Sequence, residues 1–77
     1  MRLEDTIQGI FAEVFKFGGP LDDSTGRDDI VKWDSLQHVI LVTRLEESFL
    51  LRLSLDEILE MRTVGDIRRV LARRGVV

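Results

Sequence analysis

The sequence predicts an all-α fold, a small helical bundle of three main helices plus one short helix, with a long loop between the first and second. Three observations lead there. Apolar residues recur at i, i+3 and i+4 through several segments. Helix-capping side chains stand ahead of three of those segments. No stretch alternates apolar and polar residues for long enough to make a strand, Leu51-Arg52-Leu53 being too short, so no sheet is expected.

The first helix rests on Leu3, Ile7, Ile10, Phe11, Val14 and Phe15, which fall on one helical face. Gly18, Gly19 and Pro20 are expected to stop it. The loop that follows, rich in Asp, Gly and Ser, runs to Asp34. Loops this long are uncommon in small domains and are usually functional. Leu21, Ile30 and Val31 are its expected anchors to the core. The second helix starts at Asp34 or Ser35 and reaches about Phe49, with Asp34 as N-cap and Gln37 placed to complete a capping box. Ser54-Leu55-Asp56-Glu57 is a second capping box, opening a short helix to about Glu60. Thr63-Val64-Gly65-Asp66 opens the last helix with an acidic variant of that device. Val64, Ile67, Val70 and Leu71 form its buried stripe, and Gly75 ends it.

With 77 residues the chain has room for one domain, residues 1–77. Hydrophobic residues at 44% and charged residues at 32% suit a globular fold rather than a disordered one. Cysteine is absent, which excludes disulfides and thiolate metal sites, so any thiol chemistry must come from an attached group. No apolar run approaches the roughly 18 residues of a membrane span. Glu4 and Asp5 stand where a secretory signal would continue apolar, and the cytoplasm is the expected compartment.

The net charge of −3 is unevenly distributed. Residues 1–60 hold 13 acids and 6 bases, a balance of −7, and residues 61–77 hold 1 acid and 5 bases, a balance of +4. The acidic body argues against nucleic acid as a partner. Arg68, Arg69, Arg73 and Arg74 either meet a phosphate or acidic surface or, more simply, complement the negative end of their helix.

The second helix has two apolar faces. Leu41, Val42, Leu45 and Phe49 lie together and should pack on the first and last helices. Leu36, Val39, Ile40 and Thr43 lie nearly opposite, flanked by Glu46 and Glu47. A surface helix needs one buried stripe, so the second either packs beneath the long loop or remains open for docking. Ser35 stands where this stripe meets the helix start, where backbone N–H groups lack intrahelical partners and the dipole favours an anion. A phosphate on Ser35 would be well held there; alternatively Ser35 only helps Asp34 to cap.

Trp33-Asp34-Ser35-Leu36 after a long irregular loop, followed by Leu-Glu-Glu-x-Phe at Leu45–Phe49, resembles the acyl carrier protein family. The similarity continues through Leu51-Arg52-Leu53, Asp56-Glu57 and Thr63-Val64, without a gap from Trp33 to Leu71, and more loosely to the first helix. The resemblance implies that Ser35 accepts 4′-phosphopantetheine from coenzyme A through a phosphopantetheinyl transferase and magnesium. Acyl groups would then ride as thioesters on the thiol of the arm. Asp34 would help to organise the cation and the incoming phosphate, and Leu36 would be either an apolar contact for the transferase or a packing residue. Acyl-loading and acyl-processing enzymes are the further implied partners. Val39, Ile40, Thr43, Glu46, Glu47, Asp56 and Glu57 are the candidate docking residues, and Glu60 adds to that acidic surface. Acidic charge gives fast, salt-sensitive encounters and a small apolar patch adds specificity.

Three departures from fatty-acid carriers point to a dedicated pathway of polyketide, lipid-modifying or aminoacyl type. Ile40 stands where such carriers usually place an acid, Arg44 adds a positive charge to the same helix, and the last helix is basic. Trp33 also looks more like stand-alone carriers of specialised pathways. His38, one turn past Ser35, is placed either to approach the phosphate or to pack in the opening turn; with no ligating neighbour it is not a metal site. A peptidyl or aminoacyl carrier is the near alternative. An unmodified helical interaction module is the alternative of another class. No nucleophile–base pair or metal cluster is recognisable, so catalysis by the side chains alone is rejected. A monomer without membrane insertion is expected.

Overall fold

The computed structural model describes residues 3–76. Four helices follow one another: α1 (Leu3–Phe15), α2 (Ser35–Phe49), α3 (Leu55–Glu60) and α4 (Val64–Arg73). The described residues hold no strand, and one isolated antiparallel bridge joins Gly26 to Thr63.

The apolar stripes read from the sequence meet in one core. Ile7, Ile10, Phe11 and Phe15 of α1 join Leu41, Val42 and Leu45 of α2 and Val64, Ile67, Val70 and Leu71 of α4. Val14 and Phe49 are partly buried against that core. α1 and α2 are the most extensively packed helix pair, and Arg44 reaches back across it to Glu13 at 2.7 Å. The positive charge that Arg44 adds to α2 is therefore turned toward α1.

Helix ends follow local chemistry. Asp34 caps α2 by accepting from the Gln37 N–H at 2.9 Å. The reciprocal half of a box is not made, because the Asp34 N–H donates to the Lys32 carbonyl at 3.0 Å. Both expected boxes downstream are complete, at Ser54/Glu57 and Thr63/Asp66. α1 ends before its glycines: Lys16 takes the left-handed conformation (φ 55) and the Phe17 N–H returns to the Phe11 carbonyl. Leu50 does the same after α2, at φ 54.

The α1–α2 loop is ordered by its own side chains and by α4. Asp22 Oδ1 accepts from the Ser24 N–H at 2.9 Å and from the Ser24 hydroxyl at 2.6 Å. Asp29 accepts from the Gly26 N–H at 3.0 Å. The Thr25 and Asp23 carbonyls then take the Val64 and Gly65 N–H groups at 2.9 and 3.0 Å, satisfying donors that a helix start leaves without intrahelical partners. The anchors differ in part from expectation. Ile30 is buried and Leu21 partly so, but Val31 is 95% exposed. The buried side chain beyond Ile30 is Trp33, because the turn closed by the Trp33 N–H on the Ile30 carbonyl carries Val31 outward.

Candidate functional site

Ser35 is the first residue of α2 and is exposed. Capping falls to Asp34, whose extended backbone (φ −102, ψ −174) aims its carboxylate at the Gln37 N–H. The first intrahelical bond runs from the His38 N–H to the Asp34 carbonyl at 2.8 Å. Among the described residues no hydrogen bond engages the Ser35 hydroxyl. It is thus an unoccupied nucleophile at the positive end of a 15-residue helix, beside an exposed carboxylate and the unpartnered amides of the opening turn.

Below this hydroxyl the α2 start is tied down by a buried pair. Trp33 lies against Phe11 and Phe15, with ring centroids 5.3 and 5.4 Å away, and its ring runs nearly parallel to that of His38, edge to edge, with centroids 6.1 Å apart. Its indole Nε1–H donates to His38 Nδ1 at 2.9 Å. On the other side of the ring, His38 Nε2 lies 2.9 Å from the Ile58 carbonyl of α3. An indole N–H only donates and a carbonyl only accepts, so His38 is neutral and carries its proton on Nε2. Burial, and the charge of Arg27, hold its pKa below the ordinary 6.5. Of the two positions open to His38 from sequence, the structure gives the packed one.

The second apolar face of α2 is open. Leu36 is 69% exposed, Val39 59% and Ile40 38%, which leaves Leu36 no packing role. Thr43 is also exposed, its hydroxyl donating to the Val39 carbonyl at 3.0 Å. Leu55 and Leu59 of α3, at 69% and 63%, add apolar surface that the sequence reading did not single out. Their i, i+4 spacing carried the signal, but a six-residue helix gave no second stripe against which to judge it.

The candidate acids divide. Glu47 and Asp56 are exposed. Glu46 accepts the Leu53 N–H at 2.8 Å. Glu57 serves its capping box and meets Arg74 at 2.7 Å, contacts that hold its pKa below the ordinary carboxylate value. Glu60 meets Arg73 at 2.7 Å. Arg68 and Arg69 pair with Asp23 and Asp66. The four arginines of α4 and its end therefore answer acids of this same chain, rather than presenting a basic surface.

Beside the site a cavity of about 490 Å³ opens between the α1–α2 loop and α3, with His38, Ile58, Met61, Arg27 and Asp28 among its walls. The described residues hold no His, Asp and Glu grouping suited to a metal ion, and no helix long and apolar enough to cross a membrane.

Known proteins with this arrangement give it an identity. The phosphopantetheine attachment site family matches residues 5–71. The holo acyl carrier protein of Geobacter metallireducens is 32% identical, over 97% of this chain and 92% of that one, with a TM-score of 0.79. A Mycobacterium tuberculosis protein assigned as an acyl carrier protein shares the fold at a TM-score of 0.84 and 23% identity, over 95% of this chain and 99% of that one. No curated protein sequence matches the chain. An all-helical fold, a free serine hydroxyl at a helix tip and a family match over most of the chain lead to one conclusion. The chain belongs to the phosphopantetheine attachment family as a carrier protein of the acyl carrier type, bearing a covalent phosphopantetheine group and not itself catalytic.

Proposed function

We propose that the phosphopantetheine is joined to Ser35 and that the chain carries acyl intermediates as thioesters on that arm within a dedicated polyketide, lipid or related pathway. The observation that carries this reading is the division of labour at the start of α2, where Asp34 does the capping and leaves the Ser35 hydroxyl exposed and unbonded. The site fits the group: the Ser35 and Leu36 amides lack intrahelical acceptors, and the helix end favours a phosphodiester. Asp34 stands beside the hydroxyl, where its carboxylate can hold the cation that accompanies the incoming phosphate. When bound, the arm supplies the thiol that a chain without cysteine lacks.

Carriers of this family meet a phosphopantetheinyl transferase and acyl-handling enzymes. We assign the docking face here to Leu36, Val39, Ile40 and Thr43, with Leu55 and Leu59 beside them and Glu47 and Asp56 as available charges. Glu46 and Glu57 serve chiefly inside the molecule. A face with this balance favours partners selected more by apolar fit than by charge, which supports a narrow set of enzymes.

Incubation with coenzyme A and a broad-specificity transferase, read by intact mass spectrometry, tests the assignment. One phosphopantetheine is expected on the wild type and none on Ser35→Ala. An unmodified wild type, under conditions that load a control carrier, would overturn it.

A further inference from the structure

We propose that His38 is a positioning residue that works only while neutral, tying both the approach to Ser35 and helix α3 to the start of α2. Its place at Ser35 rests on the carrier reading; its hold on α3 does not. Three observations converge. The two bonds of His38 are opposite in sense, accepting from Trp33 at Nδ1 and donating to Ile58 at Nε2. Trp33 lies two residues before Ser35, so that bond fixes the backbone delivering the serine. Ile58 lies near the end of α3, where carbonyls lack intrahelical donors, and His38 supplies one.

α3 is otherwise lightly held. None of its six residues is fully buried, and Ile58 packs only partly against the core. Its remaining ties are the flanking buried residues Leu53 and Met61, the half-buried pair Glu57–Arg74 and the exposed pair Glu60–Arg73. An element with so few buried contacts belongs to the low-stability end of a fold.

A proton on Nδ1 would face the Trp33 N–H, donor against donor, and break the clamp on that side. The charges around the ring do not offset this. Arg27, Asp28 and Asp29 from the loop and Arg62 from the α3–α4 connection line the adjoining cavity, two of each sign. α1 meets the Trp33 side of the pair with the rings of Phe11 and Phe15. From α2 itself the nearest acid, Asp34, is engaged at the Gln37 N–H. Falling pH should therefore loosen α3, open the cavity it walls and disorder the approach to Ser35 together. Since the folded form resists the proton, the clamp is complete above about pH 6.5 and weakens below it, as conformers that accept the proton gain population.

The test uses the full chain, ¹⁵N-labelled and without its arm. Long-range NMR correlations at pH 7.5 should show His38 as the Nε2–H tautomer with a protected Trp33 indole. Acidification to pH 5 should raise the intrinsic-rate-corrected exchange of α3 amides at least tenfold. Trp33→Phe should show the faster exchange already at pH 7.5 and move the His38 titration upward. His38→Gln, which offers a donor and an acceptor but cannot titrate, should flatten the pH response. An Nδ1–H tautomer, or a titration of His38 that leaves both the indole and the α3 amides unmoved, would overturn the proposal, and both readings need the wild type alone. For the Ser35 half, the transferase KM for wild-type carrier should rise several-fold from pH 7.5 to 5.5 relative to His38→Gln, with kcat equal. Identical profiles would remove that half, while absence of loading at every pH would instead sink the carrier reading.

Discussion

At the scale of single residues, neighbours in sequence divide opposite tasks. Asp34 holds the helix end and Ser35 is left reactive, a separation that needs an acceptor at the first position and nothing from the second. Asp34→Ala should therefore cost about 1 kcal/mol, the usual value of an N-cap, read as a lower denaturation midpoint. Asp34→Asn keeps an acceptor oxygen and should be close to neutral in stability, yet it removes the charge beside Ser35 and should slow phosphopantetheine attachment. A parallel loss of stability in both variants would show that the charge, rather than the acceptor, makes the cap. This pair was legible in sequence because capping is decided within four residues. The clamp through His38 was not, since the Ile58 carbonyl lies 20 residues away and no local pattern selects between a packed histidine and a phosphate-facing one. Trp33 likewise read as a mark of the pathway, whereas in the fold it is a core residue at 2% exposure.

Elements were predicted well where periodicity and caps agreed, as in α2 and α4, and periodicity alone sufficed for α1. Their ends were harder, because two of them close on residues that ordinary preference would not choose. Leu50 takes a left-handed conformation while its side chain is 92% exposed, so strain of about 1–2 kcal/mol is met by little burial. Leu50→Gly removes that strain at a smaller entropic cost in the unfolded chain. A gain of about 0.5–1 kcal/mol is expected, a rise of several degrees in Tm for a domain of this size, and an unchanged or lower Tm would mean that Leu50 packs in solution. The same reasoning explains why α3 was legible as a helix but not as a surface. Ser54 and Glu57 announce its start, while the outward turn of Leu55 and Leu59 depends on how the short helix leans on the core.

At the scale of the whole molecule, the loop and α4 form one joint. Asp23 and Thr25 carbonyls cap α4, Gly26 bridges to Thr63, and Arg68 pairs with Asp23. A Cβ on Gly65 would stand 2.9 Å from the Asp23 carbonyl oxygen and from its Cβ, so Gly65→Ala must push the loop away from the helix. A loss of about 1–3 kcal/mol is expected, as for other overpacked sites, with faster exchange of the Val64 amide as the local sign. An equally stable Gly65→Ala would show that the loop gives way at no cost. None of this was visible beforehand, because a run of Asp, Gly and Ser announces turns without saying which distant amides its carbonyls will meet. The basic balance of the C-terminal segment was legible, but its use was not: the arginines answer acids of the loop and α3, as well as Asp66 of α4 itself. Surface connections commonly accept extra residues at small entropic expense. This one should not, because a single insertion between Asp23 and Thr25 would throw two carbonyls out of register with the amides they serve and unravel the far end of the protein from a place that looks like a tether.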